Sequence, residues 1–458
     1  MALSDFIEIV PLSQPVEAHV TVPGSKSITN RALILAALAS GQVTLRGALW
    51  SEDTEVMFHC LQKLGFAISL QADPAEPCNR TLTVQGLAGR IPNGGTAEQP
   101  LELFVANAGT AARFLAAFLC LGQGVYRLSG IPRMHERPQA ALFQALRELG
   151  YRIESENGND KLPVKIFGQS RPVDAAAPAK CTVSIAESSQ FASALLLAAP
   201  TGGWQVSVAG DNADESPYLV MTERLVEAFP RAGGTFQIEP DASSGSYFWG
   251  AGWVLSALEH HLHPERLAPA MASPVEVNQW PVSGWQIDAD FPHFLPFPAE
   301  ISRESQLGDS IMTAIVLAAD QDMAGSWGRR EDHGAIRFTD LGRLRVQECE
   351  RVAALRTELT KCGARVEETG DTLTVHPSAL HGAEIETYND HRMAMCFAIL
   401  GLKVPGLRIK NPACVKKTFP NFFQKLAAPA PHGLGAEIWE VQGGQKIRRL
   451  DGNDLFAD

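Results

Sequence analysis

Pro23-Gly24-Ser25-Lys26-Ser27-Ile28-Thr29-Asn30-Arg31 runs directly into an all-apolar stretch, Ala32–Ala39. A helix that is apolar on every side is buried on every side. This one begins with a lysine, small hydroxyl residues and an arginine. Ser27 and Arg31 are four residues apart and share one helix face, and Ser27 is the expected N-cap. A helix start offers unpaired N–H groups and the positive end of the dipole, which suit a phosphate. With two cations added, the segment reads as an oxyanion cradle. A capped, solvated helix start could carry the same residues, so the weight rests on recurrence.

The device recurs. Further segments apolar all round are Phe114–Leu121, Phe191–Ala199, Met312–Ala319 and Met393–Leu402. Amphipathic stretches alternate with them at Thr54–Leu64, Gln139–Leu149, Val220–Phe229 and Arg351–Lys361. Short β-rich runs follow, such as Leu82–Val84, Val164–Ile166, Gln205–Val208 and Leu373–Val375. Buried-helix starts near Ser27, Thr110 and Ser189 lie roughly 80 residues apart. A second series starts near Ser243, Asp309 and Asp390, with a short first step of 66 residues. Between Leu255 and Pro298 the amphipathic helix is hard to find, so one repeat reads as eroded. Two groups of three units predict an α/β chain of two domains, each with buried helices inside and sheets outside. The expected domains are 25–240, and 1–24 with 241–427; from Ala428 the chain loses its periodicity and reads as a loosely packed extension, 428–458.

Bulk properties agree with a globular protein. The chain has 458 residues, 45% hydrophobic and 20% charged, more than one core accommodates. A net charge of −12 argues against a nucleic-acid partner, while leaving local cations free to bind a small anion. The eight cysteines form no Cys-x-x-Cys pair, so reduced thiols and a cytoplasmic location are expected. Met1–Val10 lacks the basic stretch of a targeting peptide, and no apolar run has the ~18 residues of a membrane span.

The chemistry concentrates at helix starts. Asn107-Ala108-Gly109-Thr110-Ala111-Ala112-Arg113 joins a close-approach glycine, a hydroxyl and a cation. Ser188-Ser189-Gln190 supplies two hydroxyls and an amide, and Asp390-His391-Arg392 a carboxylate, an imidazole and a guanidinium. Asp309 opens its helix alone; Arg133, Arg137, Arg351 and Lys417 stand near others. Capping could explain any one of these. A cation at a helix N-terminus opposes the dipole, however, and an anionic ligand would remove that conflict. Helix starts of both domains are expected to face one positive cleft. Asp309, Glu348, His391 and Lys26 are the available acid–base groups. Nucleotide-loop, zinc-protease and nucleophile-elbow motifs are absent.

These motifs resemble the 5-enolpyruvylshikimate-3-phosphate synthase family. The resemblance rests on Gly24–Arg31, Asn107–Arg113, Pro132–Pro138, Ser188–Phe191, Asp241–Ser244, Tyr388–Cys396 and Lys417–Pro420, in family order. It implies a two-domain enolpyruvyl transferase fold in which the chain crosses between domains near 22–25 and 240. It also implies transfer of the enolpyruvyl group of phosphoenolpyruvate to the 5-hydroxyl of shikimate 3-phosphate, without a metal or organic cofactor. Lys26, Ser27, Arg31, Ser188, Ser189, Gln190, Tyr218, Asp309 and Gln347 would hold shikimate 3-phosphate. Lys26, Gly109, Arg133, Gln190, Arg351, His391, Arg392 and Lys417 would surround phosphoenolpyruvate. Asp309 would be the base at the 5-hydroxyl, and Glu348 or Lys26 would handle the methylene proton. A monomer is expected.

Several positions depart from the family pattern. Gln347 replaces a lysine, Arg343 stands where asparagine is common, and Glu215 replaces a substrate-facing serine. Ala112 and Phe114 replace a common Met and Pro, which predicts weakened inhibition by glyphosate, a known ligand of the family. Two alternatives stay open: a UDP-amino-sugar enolpyruvyl transferase, and a non-catalytic paralogue that binds phosphorylated anions.

Overall fold

A computed structural model of the chain describes residues 3–14, 16–169, 178–210, 216–262, 273–321 and 334–457. The chain divides into two compact units, Gly24–Glu239 and Met1–Pro23 with Pro240–Asp458. Strands β1 (Phe6–Ile9) and β2 (Ala18–Val20) precede the first crossing and belong to the second of these.

The unit Gly24–Glu239 contains three β/α repeats. The first runs α1 (Lys26–Leu38), β3 (Gln42–Leu49), α2 (Glu52–Lys63), β4 (Ile68–Ala72) and β5 (Asn79–Gln85). The second runs β6 (Leu101–Phe104), α3 (Gly109–Leu119), β7 (Gly124–Ser129), α4 (Pro132–Glu136), α5 (Ala140–Glu148), β8 (Arg152–Ser155) and β9 (Val164–Gly168). The third runs β10 (Ala179–Ser184), α6 (Ser189–Gly202), β11 (Trp204–Ala209), α7 (Ser216–Ala228) and β12 (Gly234–Gln237). In the second repeat β6 and β7 flank α3 and pair in parallel, giving the order β6-β7-β9-β8. The first repeat has the same order, β12-β3-β5-β4, with the unit's last strand parallel to β3 in the leading place. The third contributes the parallel pair β10 and β11. Helices α1, α3 and α6 pack on one another. Every residue of α3 is buried, Thr110 and Arg113 along with the apolar ones.

The other unit repeats the plan. Helix α8 (Ala242–Leu262) is followed by β13 (Val275–Val277), which pairs in parallel with β2. Next come β14 (Glu300–Ser302), α9 (Ile311–Leu317), β15 (Ile336–Thr339), α10 (Arg351–Lys361), β16 (Arg365–Thr369) and β17 (Thr372–His376), ordered β14-β15-β17-β16. Last come β18 (Glu384–Ile385), α11 (His391–Gly401), β19 (Arg408–Lys410) and α12 (Phe422–Ala427). The eroded repeat lies here: a 3-10 helix, Ile287–Phe294, stands where an amphipathic α-helix would be expected.

Two expectations are corrected. Ser25, not Ser27, occupies the N-cap of α1, because the helix already begins at Lys26. Gly24 permits this entry, since a Cβ there would lie 1.9 Å from the Gly47 carbonyl oxygen. The stretch after Ala428 is not loosely packed. It forms the hairpin β20 (Ile438–Gln442) and β21 (Gln445–Leu450), and β20 pairs with β1 to complete the sheet β18-β19-β1-β20-β21. Leu434, Ala436, Ile438, Leu450 and Leu455 are buried there. β21 is exposed along most of its length with only Leu450 buried, so it carries no alternation to read. Among the described residues, no helix is long and apolar enough to cross a membrane.

Candidate active site

In the unit Gly24–Glu239 the starts of α1, α3 and α6 carry the predicted residues. Lys26, at the first position of α1, places its ammonium 3.1 Å from an Asp53 carboxylate oxygen. Asp53 lies in the acidic first turn of α2, where the helix dipole favours a carboxylate. The buried Arg31 turns back along α1, donating to the Ser27 carbonyl at 2.9 Å, Thr222 Oγ1 at 2.8 Å and Ser193 Oγ at 3.1 Å. Its guanidinium also lies over the Phe114 ring. Ser188 caps α6 by accepting from the Gln190 N–H, and Ser188 and Ser189 are both buried. The Gln190 side chain joins α6 to α3 through Arg113 and Thr110. Tyr218 is half-buried, and its carbonyl accepts from the Thr222 hydroxyl, one step from Arg31.

Gly109 opens α3 against a guanidinium. A Cβ there would lie 2.7 Å from both terminal nitrogens of Arg137, which also donates to the Asn107 carbonyl at 3.2 Å. Arg133, expected beside phosphoenolpyruvate, is exposed on α4 and paired with Glu136. Arg137 and Arg113 are therefore the cations that this structure brings to the start of α3.

The second constellation lies within the unit Met1–Pro23 with Pro240–Asp458. Asp309 stands two residues before α9, whose N-cap is Ser310. Three guanidiniums face it: Arg303 and Arg392 at 3.2 Å each and Arg351 at 3.7 Å. Burial alone would push its carboxyl up, but Arg392, Arg351 and Arg303 outweigh that and hold it well below the usual carboxylate range. Arg351 also pairs with Asp390 at 2.7 Å and Glu348 at 2.9 Å. Lys417 lies 3.2 Å from the other oxygen of Glu348. Asp390 caps α11 through the Arg392 N–H at 2.9 Å, and buried His391 sits beside it. The Gln347 amide oxygen accepts from Arg351. Glu215 lies outside the described residues.

Three of the cations at helix starts thus already have carboxylate partners in the folded protein: Lys26 with Asp53, Arg351 with Asp390 and Glu348, Arg392 with Asp309. Carboxylates relieve the conflict with the helix dipole that a ligand was expected to relieve. Two site residues gave no sequence signal. Arg303 lies ahead of α9 in an ordinary polar loop. Asp288, on the eroded repeat, accepts from Ser243 Oγ at 2.5 Å and the Ser310 N–H at 2.8 Å. Burial, and then the charge of Asp309, push its carboxyl up.

A family model described as EPSP synthase (3-phosphoshikimate 1-carboxyvinyltransferase) matches residues 10–263 and 295–426. The break between these stretches falls in the eroded repeat. A protein of Trichormus variabilis named 3-phosphoshikimate 1-carboxyvinyltransferase is 36% identical over 451 residues, covering 92% of this chain and 98% of that protein. The EPSP synthase structure from Acinetobacter baumannii superposes with a TM-score of 0.65 at 20% identity, covering 94% of this chain and 99% of that one. The enolpyruvyl transferase NikO from Streptomyces tendae gives 0.58 at 16% identity, covering 95% and 98%. At such identities these two structures speak to the fold alone. With a family match in both units and a relative this similar over nearly its whole length, the chain belongs to the EPSP synthase (3-phosphoshikimate 1-carboxyvinyltransferase) family.

Proposed function

We propose that the chain transfers the enolpyruvyl group of phosphoenolpyruvate to the 5-hydroxyl of shikimate 3-phosphate, releasing phosphate. Ser27, Arg31, Ser188, Ser189, Gln190, Tyr218 and Gln347 are assigned to shikimate 3-phosphate. Gly109, Arg133, Arg351, His391, Arg392 and Lys417 are assigned to phosphoenolpyruvate, and Lys26 and Gln190 to both. A monomeric, cytoplasmic enzyme goes with this reading; sedimentation and cell fractionation test those two points.

The observation that carries the mechanism is Asp309 ringed by Arg303, Arg351 and Arg392. Such a carboxylate is ionised at any working pH but is a weak base, because three cations stabilise its charge. An incoming anion on Arg351 and Arg392 would share those cations and raise the proton affinity of Asp309. The base is then strengthened by substrate binding. In the addition step Asp309 takes the proton of the 5-hydroxyl as its oxygen bonds to C2 of phosphoenolpyruvate. Glu348 or Lys26 delivers a proton to the methylene carbon. In the elimination step the group that delivered the methylene proton, Glu348 or Lys26, takes a proton back from the new methyl group. The double bond returns, and the C–O bond to phosphate breaks as the leaving phosphate receives the proton held by Asp309. Lys417 and Arg351 each pair with one oxygen of Glu348.

Phosphate release measured with both substrates tests the assignment. Release that requires both supports it. Release with a UDP-amino sugar in place of shikimate 3-phosphate would overturn it, and so would binding of both anions without turnover.

A further inference from the structure

We infer that Arg113 is a positioning residue that fixes the hydrogen-bond polarity of Gln190 and Thr110, so that both present hydrogens to a substrate anion. This rests on the proposed contact of Gln190 with substrate. Arg113 is 4% exposed at the start of α3. Its NH1 donates to Gln190 Oε1 at 2.6 Å, its NH2 donates to the Pro138 carbonyl at 3.3 Å, and its guanidinium lies over the Phe191 ring at 5.3 Å. The head group is therefore held on several sides.

A guanidinium has donors and no acceptor. The oxygen end of the Gln190 amide must face it, because the flipped amide would set N–H against N–H. The nitrogen end then points away, and Gln190 Nε2 donates to Thr110 Oγ1 at 3.3 Å. Having accepted there, the Thr110 hydroxyl turns its own hydrogen outward, and Nε2 keeps a second one. Among the described residues, neither of these hydrogens meets a further protein acceptor. Gln190 and Thr110 are ambivalent residues, able to donate or accept. An obligate donor behind them makes the chain one-directional, and its open end suits an anion. The N-termini of α3 and α6, which carry these residues, have the same polarity.

The test measures KM for both substrates, kcat and the melting temperature of Arg113→Met, Arg113→Lys, Gln190→Ala, Gln190→Glu and the Arg113→Met/Gln190→Ala double variant. Arg113→Met should raise KM for at least one substrate on the order of 10-fold, with kcat changed less than about 3-fold, the scale of one oriented hydrogen bond. The double variant should be no worse than Gln190→Ala alone, and Arg113→Lys should recover much of the loss. Gln190→Glu should melt no lower than the parent, since its carboxylate pairs with Arg113, yet bind substrate worse because the N–H is gone. That divergence decides the matter even if Arg113→Met folds poorly. Losses in the double variant that multiply would overturn the inference alone. An unchanged KM in Gln190→Ala would remove the assignment of Gln190 to substrate, and this inference with it.

Discussion

Lys26 carries its charge at the wrong end of a helix dipole, held there by Asp53 at 3.1 Å. Lys26→Met should abolish turnover, by about three orders of magnitude or more, as expected when a transition-state cation or proton donor is lost. It also strands the Asp53 carboxylate, which is 5% exposed on its side chain. A loss of about 1–3 kcal/mol in stability should follow, with near-ultraviolet dichroism retained. Surviving activity would remove Lys26 from the mechanism. Gly109→Ala acts differently. Its methyl would press on the end of Arg137, a side chain able to swing away, so stability should hardly change. Displacing that guanidinium should raise KM for phosphoenolpyruvate by roughly 10-fold, the scale of one charge-assisted contact. An unchanged KM would show that Arg137 does not bear on this site. The cations were legible in the sequence because each breaks an apolar run at its start. Other residues of the site were not: Asp53, Arg303 and Asp288 reach it through tertiary contacts that no local spacing encodes.

A buried helix needs the free N–H groups of its first turn satisfied, and the eroded repeat supplies acceptors for two helices at once. Gln286 Oε1 accepts from the Ala242 N–H at the start of α8, at 3.0 Å. Asp288 takes Ser243 on the same turn and the Ser310 N–H ahead of α9. The loop is packed tightly against it, since a Cβ on Gly308 would lie 3.0 Å from Asp288 Oδ2. A repeat that lost its amphipathic helix has thus kept the part that braces Asp309. The sequence pattern showed the loss as broken periodicity; it had no signal for the brace, because caps between segments far apart leave no period. Asp288 is raised by burial and by Asp309, against Ser243, Ser310 and Arg392, which pull it down. A carboxyl raised in the folded state holds its proton more tightly there than in the unfolded chain. Its contribution to stability is full below the ordinary carboxylate value and declines as pH rises through the folded one. Asp288→Asn keeps an oxygen for Ser310 and removes the charge. Its urea midpoint should therefore exceed the parent's at about pH 7.5 and approach it at about pH 4. A variant less stable than the parent at neutral pH would mean that the charge itself is needed.

Over the whole chain, the arrangement of repeats was legible because buried helices recur along it, five of them apolar enough to stand out. The closing of the final sheet was not. β1 lies between β19 and β20, so its two hydrogen-bonded neighbours come from about four hundred residues away, with Ile7 opposite Ile409 on one side and Glu440 on the other. Lys446 and Arg408 both pair with Glu8, covering the strand with charge. Ending the chain after Ala436 would remove β20, β21 and the buried side chains of Ile438, Val441, Leu450 and Leu455. At roughly 1.5–3 kcal/mol for each side chain, the loss rivals the whole stability of a domain. It would also bare an edge of β1 open to pairing with other chains. These contacts all lie inside the unit of Met1–Pro23 with Pro240–Asp458, so the damage should stay there. Hydrogen exchange of the truncated chain should show β1, β19 and α11 losing protection while α1, α3 and α6 keep theirs. Turnover should vanish, because Asp309, Arg351 and Arg392 depend on the damaged unit. Full protection at Ile7 and Ile9 after truncation would mean that the hairpin decorates the sheet rather than completing it.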